Sequence, residues 1–247
     1  MYVLINAARE QAGHDWAAKF ALHFFMFYDA GEAAKAAGDR DHKDFWDYCY
    51  SGYPTFKRGT ERRHFRGAKG FDAMKQMRLR GDPEDIWADM WSETYPGLLK
   101  NIELKFKGCQ IGPYFAWKAM DLLDRGLGQS VDLELKEAVQ HMPDEPRKCA
   151  AKVWPDMSLE RVLNIVTYNI ADLPAPGANT RNCHYAEAET VLCMIKGYFL
   201  TKTHDIGDDV DEKHSQLREF PELRELLPKQ QNWTSYVKAV DSPTISA

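Results

Sequence analysis

The residues best placed to do chemistry in this 247-residue chain lie in one stretch, Phe106 to Asp132, FKGCQIGPYFAWKAMDLLDRGLGQSVD. Gly108 and Gly112 punctuate a short turn, and Pro113 then opens a helix carrying Phe115, Ala116, Ala119, Met120 and Leu123. A tight turn that feeds backbone N–H groups into a helix N-terminus grips phosphate. Gly108, Gln110 and Gly112 of the turn, with Lys118 on the helix, are therefore expected to contact DNA. A glycine-broken loop (Gly126, Gly128) follows and ends in Val131-Asp132. That carboxylate falls within reach of whatever the turn holds, which points to chemistry on DNA.

A second group of chemically able residues lies upstream. Lys57 to Arg80 holds nine Lys/Arg against two acids, an excess of +7 in a chain whose net charge is −5, so the remainder carries −12. A basic island in an acidic protein is a local anion site without general stickiness. Arg58, Arg62, Arg63, Arg66 and Lys69 suit phosphate, because guanidinium forks bind its oxygens in pairs. Arg62, Arg66 and Lys69 fall at helical spacing. The group is either a phosphate clamp, on the DNA backbone or on a leaving group, or a solvated basic helix face with Glu61 and Asp72 as partners. So dense a cluster in so acidic a chain favours the clamp.

Asp132 suits a general base or a stabiliser of developing positive charge, with a raised pKa if it is buried. Alternatively it is a first-turn acid of a helix capped by Ser130 and running through Leu135 and Val139. Asp121 competes for the catalytic role and serves equally as a salt-bridge residue. His184, Glu187 and Glu189 open a strong helix. Glu187 and Glu189, two apart, cannot share one face; either holds an incoming ammonium group or supplies favourable charge at a helix start. Cys183, His184 and Cys193 lack the close-spaced pairs of a zinc site, so no metal is expected. His204, Asp205, Asp208, Asp209 and Asp211 around Gly207 lack a calcium-loop spacing and read as a solvated acidic loop. Among the aromatics Tyr48, Tyr50, Tyr53, Tyr114 and Trp117, Tyr114 at the turn's exit is the best platform for an extruded base. Trp117 and Phe115 suit the core.

The elements that must position these residues are mainly α. Trp16, Phe20, Phe24 and Phe27 draw an apolar stripe over 15–29. Residues 31–44 form a short helix or a loop, and 46–59 an aromatic loop. Asp82-Pro83 and Pro96 start helices, the second leading into the turn at Gly108. Ser158 caps a helix with Leu159, Val162, Leu163, Val166 and Ile170 facing inward. The run LPAPGANTRN (173–182) is a turn-rich loop, followed by a helix over 185–200 with Leu192, Ile195 and Phe199 on one face. Together they predict one compact helical domain, in two lobes of about 1–95 and 96–200, with 201–247 an acidic C-terminal extension. Composition, 44% hydrophobic and 12% aromatic, is that of a globular protein. No run of 18 apolar residues suggests a membrane span, and MYVLINAARE does not read as a signal peptide. Five scattered cysteines fit reduced thiols in the cytoplasm.

The Phe106–Asp132 stretch resembles the helix-hairpin-helix DNA glycosylase superfamily, in which a glycine hairpin, a helix and a Gly-containing loop lead to a Val-Asp pair. There the catalytic Asp stands twenty residues after the hairpin's second glycine, as Asp132 does after Gly112. The hairpin departs from that pattern, with glycines four apart where the family usually has two. Tyr114 stands where lyase-type members place a nucleophilic lysine, so Schiff-base chemistry is not expected. The segments RGTERRHFRG (58–67), GPYFAWKAMDLL and HYAEAETVLC (184–193) together resemble a phage-encoded offshoot, the amino acid:DNA transferases, or α-glutamyl/putrescinyl-thymine pyrophosphorylases. The resemblance implies a transferase that acts on phosphorylated 5-hydroxymethyluracil in DNA. It would replace the phosphate or pyrophosphate by the amine of an amino acid or polyamine. The implied partners are double-stranded DNA with a modified thymine and a free amino acid or polyamine, in the host cytoplasm and away from membranes. No cofactor is implied, although the hairpin carbonyls suit a monovalent cation. A monofunctional base glycosylase using Asp132, and a non-catalytic hairpin module that binds DNA, are the competing functions. The dense arginines favour the transferase, whose leaving group is an anion.

Overall fold

A computed structural model of the protein describes residues 1–38, 41–58, 65–178, 181–196 and 208–229. These residues form α-helices and, between Asp121 and Leu127, one π-helical turn; no strand occurs among them, only two isolated bridges, Thr94 to Asp132 and Pro174 to Asn182. The helices are α1 (Tyr2–Ala12), α2 (His14–Phe27), α3 (Ala30–Gly38), α4 (Phe45–Gly52), α5 (Gly67–Arg78), α6 (Pro83–Met90) and α7 (Tyr95–Lys105). After the hairpin come α8 (Pro113–Asp121), the π turn (Leu122–Gly126), α9 (Leu135–His141), α10 (Asp144–Val153), α11 (Leu159–Ile170), α12 (Tyr185–Lys196), α13 (Asp208–Gln216) and α14 (Pro221–Arg224). None of the described helices is long and apolar enough to cross a membrane.

The central element is α2. Ten of its fourteen residues are buried, and it packs against α1, α3, α6 and the π turn. Such burial on every side explains why its sequence is apolar beyond a single stripe. Gly13, at φ 94°, separates it from α1, and Tyr28 ends it in the left-handed region with its N–H on the Phe24 carbonyl, 2.8 Å away. The signals at Asp82-Pro83, Pro96 and Ser158 hold. Asp85 accepts the Asp82 N–H (3.2 Å), Thr94 accepts the Gly97 N–H (3.4 Å), and Ser158 accepts the Arg161 N–H (3.2 Å).

Four expectations change. The 46–59 segment begins with a helix, α4, because Asp44 caps it by accepting the Asp47 N–H at 2.7 Å and Trp46 and Cys49 turn into the core. Ser130 caps nothing; α9 starts at Leu135. Ser130's carbonyl accepts from Trp91 Nε1 (3.1 Å), and the Asp132 backbone pairs with Glu93 and Tyr95 (2.7 and 2.9 Å). Helical spacing does not run through Arg66, whose extended backbone (φ −125°, ψ 150°) precedes α5. The acidic stretch becomes helix from Asp208, while His204, Asp205, Arg62, Arg63 and Phe199 lie outside the described residues.

His23, wholly buried on α2, has no hydrogen-bond partner at either ring nitrogen and is walled by the rings of Phe27, Phe45, Tyr48 and Phe56. Burial, and then the charge of Arg58, lowers its pKa to about 3. The unfolded chain takes up that proton near 6.5 and the folded one does not. Above pH 7 both states are neutral there, so stability falls only as pH drops from about 6.5 toward 3, by up to ~1.4 kcal/mol per pH unit. His23→Leu is expected to shrink the loss of urea-unfolding free energy between pH 7 and pH 5 by about 2 kcal/mol. An unaltered loss contradicts this assignment.

Candidate functional site

The hairpin between α7 and α8 is a tight turn built from two left-handed residues, Gly108 (φ 89°) and Gln110 (φ 57°). Cys109 donates its N–H to the Phe106 carbonyl (3.0 Å), and Gly112 starts α8 by accepting the Ala116 N–H (2.9 Å). Pro113, at the first helical position, has no N–H to satisfy. Gln110 donates to the Lys69 carbonyl at 2.7 Å, which ties the turn to the start of α5. The far end of α5 also reaches the turn, where Arg80's charge opposes the burial that pushes the Cys109 thiol up to about 11. Exposed Lys69 and Arg80, toward opposite ends of α5, thus flank the turn that carries exposed Lys107. A cleft lined by Ile102, Phe106, Gly108, Gln110, Ile111 and Tyr114 opens beside it.

Arg58 does not join that edge. It is half-buried and donates to the carbonyls of Phe56 (2.9 Å), Phe65 (3.2 Å) and Tyr53, with its guanidinium 4.7 Å from the Tyr53 ring centre. Burial, with the charge of Arg66 adding to it, lowers its pKa. Its geometry is that of a brace joining Tyr53, Phe56 and Phe65, leaving Arg66 and Lys69 as the exposed, described members of the expected clamp.

Behind the hairpin, α8 and the π turn carry charge into the core. Tyr114, Lys118, Asp121 and Arg125 follow at intervals of four, three and four, one face of a continuous helix. Lys118, expected on DNA, turns inward: its ammonium lies 3.4 Å from Asp121 and 3.6 Å from Glu189. Arg125 donates to Asp121 (2.8 Å), approaches Glu187 (3.4 Å) and covers the Tyr2 ring at 3.8 Å. Tyr2 donates its hydroxyl to Asp121 at 3.2 Å. From the segment that leads into α12, Arg181 donates to Glu187 (3.0 and 3.1 Å), to the Asn182 carbonyl (2.9 Å) and, through two nitrogens, to Asp124. The side chains of Asp121, Asp124, Glu187 and Glu189 are at most 6% exposed.

Four carboxylates therefore meet three cations in low dielectric. Burial acts to raise the Glu187 pKa, but the bonds from Arg181 and the charge of Arg125 outweigh it and hold it below the usual range. Glu189 is left with the surplus: burial raises its pKa, Lys118 only partly offsetting this, and Asp121 adds to the rise. Burial works to lower the Lys118 pKa, yet Glu189 and Asp121 keep it well above normal. His184 is lowered by burial and Arg181, and its neutral Nδ1 accepts the Ala186 N–H at 3.1 Å. Glu187 and Glu189 do diverge, as two-residue spacing requires, each toward a different cation.

Asp132 stands apart from this network. It is exposed, with its backbone held on both sides by the bridge at the start of α7. Tyr95 links the two places: its N–H holds the Asp132 carbonyl, while its buried hydroxyl feels the charge of Asp121 and has no hydrogen-bond partner. The alternative of a first-turn helix acid falls away, since no helix starts at Ser130. Among the described residues no cluster of three His, Cys, Asp or Glu is placed to hold a metal.

Tyr2, Asp124, Arg125 and Arg181 were not legible as site residues. The run 118, 121, 124, 125 of charges inside an apolar helix was the available signal for two of them. Tyr2 and Arg181 arrive from distant segments and carried none.

No protein-family model matches the chain. It is similar to a putrescinyltransferase of Delftia phage PhiW-14, 28% identical over 240 residues that cover 92% of this chain and 76% of that protein. It is also similar to a glycinyltransferase of Pseudomonas phage PaMx11, 24% identical over 217 residues, 73% of this chain and 72% of that protein.

Removing one cation from the network leaves buried carboxylates unmatched. Arg125→Met is expected to lower the free energy of unfolding by ~3 kcal/mol or more, measured in urea. A change below about 1 kcal/mol contradicts a stabilising network.

Proposed function

We propose that this chain, which belongs to the phage amino acid and polyamine transferases, joins an amine to a modified thymine base in DNA. The structural observation that supports this best is the course of α7. It begins where the exposed Asp132 is pinned and ends in a hairpin flanked by exposed Lys69, Arg80 and Lys107. One unit thereby carries both an accessible carboxylate and an anion grip. We read α7, the hairpin and α8 as a helix-hairpin-helix unit of glycosylase type.

In this mechanism the duplex seats on the hairpin edge. Backbone N–H groups about Gly108, Gln110 and Gly112, with Lys69 and Arg66, hold phosphate oxygens. Arg62 and Arg63 belong to the same clamp by sequence. The target base, a phosphorylated 5-hydroxymethyluracil, leaves the stack, and Tyr114 offers it a ring face. The amine nitrogen attacks the methylene carbon; the C–N bond forms as the C–O bond to phosphate or pyrophosphate breaks, and the electron pair departs with that anion. The proton released from nitrogen passes to Asp132, an accessible carboxylate. Asp121, Glu189, Glu187, Lys118 and His184 are positioning residues, because they are buried against one another and hold α8 against α12.

The test is direct. Duplex DNA carrying phosphorylated 5-hydroxymethyluracil is incubated with the protein and either putrescine or glycine, then digested and its nucleosides weighed. A new aminomethyl nucleoside is expected; free base with abasic DNA would indicate a glycosylase instead. Asp132→Asn should cut turnover by about 10²-fold or more, with melting temperature and DNA affinity unchanged. Arg66→Ala and Lys69→Ala should each lower the slope of log affinity against log salt by about 1. A slope unaffected in both variants removes them from the phosphate grip.

A further inference from the structure

We propose that α11 pairs with α11 of a second copy of this chain, the two helices lying antiparallel about a two-fold axis level with the midpoint between Val166 and Thr167. The pairing is independent of the chemistry proposed above.

α11 carries apolar residues on two sides. Val162, Leu163 and Val166 are buried, and the helix packs against α9, α10 and α12. The other side is open. Arg161, Ile165, Tyr168 and Asp172 follow there at intervals of four, three and four, the spacing of a helix-pair seam. All four are exposed, Tyr168 to 84% and Ile165 to 42%. Glu160, Arg161, Ile165 and Tyr168 line one open groove. Ala171 keeps helical dihedrals (φ −62°, ψ −25°), which carries the register on to Asp172. The flanking amides are held within the chain: Asn169 donates to the Ile165 carbonyl (2.7 Å), and Asn164 accepts from the Tyr185 hydroxyl (3.4 Å). Neither Arg161 nor Asp172 has an ion-pair partner among the described residues.

The order of charges along this seam selects its occupant. A cation at one end, two apolar residues and an anion at the other call for a partner that carries the same series reversed. An antiparallel copy of α11 carries it, and a two-fold axis then makes every contact twice. In that register Ile165 lies level with the partner's Tyr168, and Arg161 with the partner's Asp172. The centre is apolar, and an ion pair closes each end. Exposed Glu160 and Asp172 outweigh Arg161 on this face, which disfavours a nucleic acid as the occupant. A contact built from one helix of each copy is small, so the dimer is weak, in the micromolar range.

Sedimentation velocity on the full chain, from micromolar to submillimolar concentration and without DNA, should show a reversible monomer–dimer equilibrium. Arg161→Glu sets carboxylate against carboxylate at both ends of the seam, and Asp172→Arg sets guanidinium against guanidinium. Each alone should weaken the dimer by about tenfold or more. An equimolar mixture of the two variant chains should regain wild-type affinity as a heterodimer, because both end pairs are then again of opposite charge. Recovery on mixing also excludes misfolding as the cause of the loss. Ile165→Glu should leave the chain monomeric throughout. A wild-type chain that stays monomeric would overturn the proposal, as would a dimer that none of these substitutions weakens. Single variants that lose the dimer and do not recover it on mixing would overturn the antiparallel pairing.

Discussion

Everything in the site's vicinity depends on matching buried charge around Arg125. A guanidinium 4% exposed cannot remain unless carboxylates surround it, and Asp121 and Glu187 do so from two different helices. Arg181 then neutralises Asp124 and the far side of Glu187, and Lys118 is placed between Asp121 and Glu189. Tyr2 closes the cluster from α1 by covering Arg125 and donating to Asp121. One electrostatic constraint therefore fixes α1, α8, the π turn, Arg181 and α12 relative to one another. Gly177 fits that constraint: a Cβ there would meet the Arg125 carbonyl at 2.5 Å.

The π turn belongs to the same arrangement. Its wider backbone step, with Leu127 N–H on the Leu122 carbonyl at 2.9 Å, sets Asp124 and Arg125 toward Arg181 and Asp121 without ending the helix. Fixing α8 in this way also fixes the hairpin at its start, so the anion grip proposed there rests on a rigid element, as a binding site requires. The chemistry is assigned to the carboxylate that stays outside the network. Asp132 is held by backbone pairing, which leaves its side chain unencumbered, whereas Asp121 and Glu189 are committed to cations.

Much of the frame could be read from local signals. Pro113 after Gly112, the Asp82-Pro83 start and the Ser158 cap act within a turn of where they stand, and the structure keeps each. Local signals misled where a distant partner intervened. Ser130 precedes a plausible helix, but Trp91 and the strand-like pairing of Asp132 with Glu93 and Tyr95 claim the backbone first. Lys118 looks like a surface cation on the hairpin helix, but Asp121 on the same helix and Glu189 from α12 together hold it inward. Arg58 sits in a basic motif, yet the carbonyls of its own loop take its donors. For Ser130 and Lys118 the deciding energy comes from residues that sequence proximity does not bring together; for Arg58 it comes from nearby backbone carbonyls that charge patterning does not reveal.

The central claim is that an amine becomes covalently joined to a base in DNA with Asp132 taking its proton. Isotope-labelled putrescine or glycine, supplied with the phosphorylated duplex, tests it most directly. The account predicts label in a nucleoside released by digestion of DNA treated with the wild-type protein, and almost none with a folded, DNA-binding Asp132→Asn variant. Label incorporated equally by that variant would contradict the role of Asp132, and DNA left unlabelled by the wild type with both amines would contradict the activity itself.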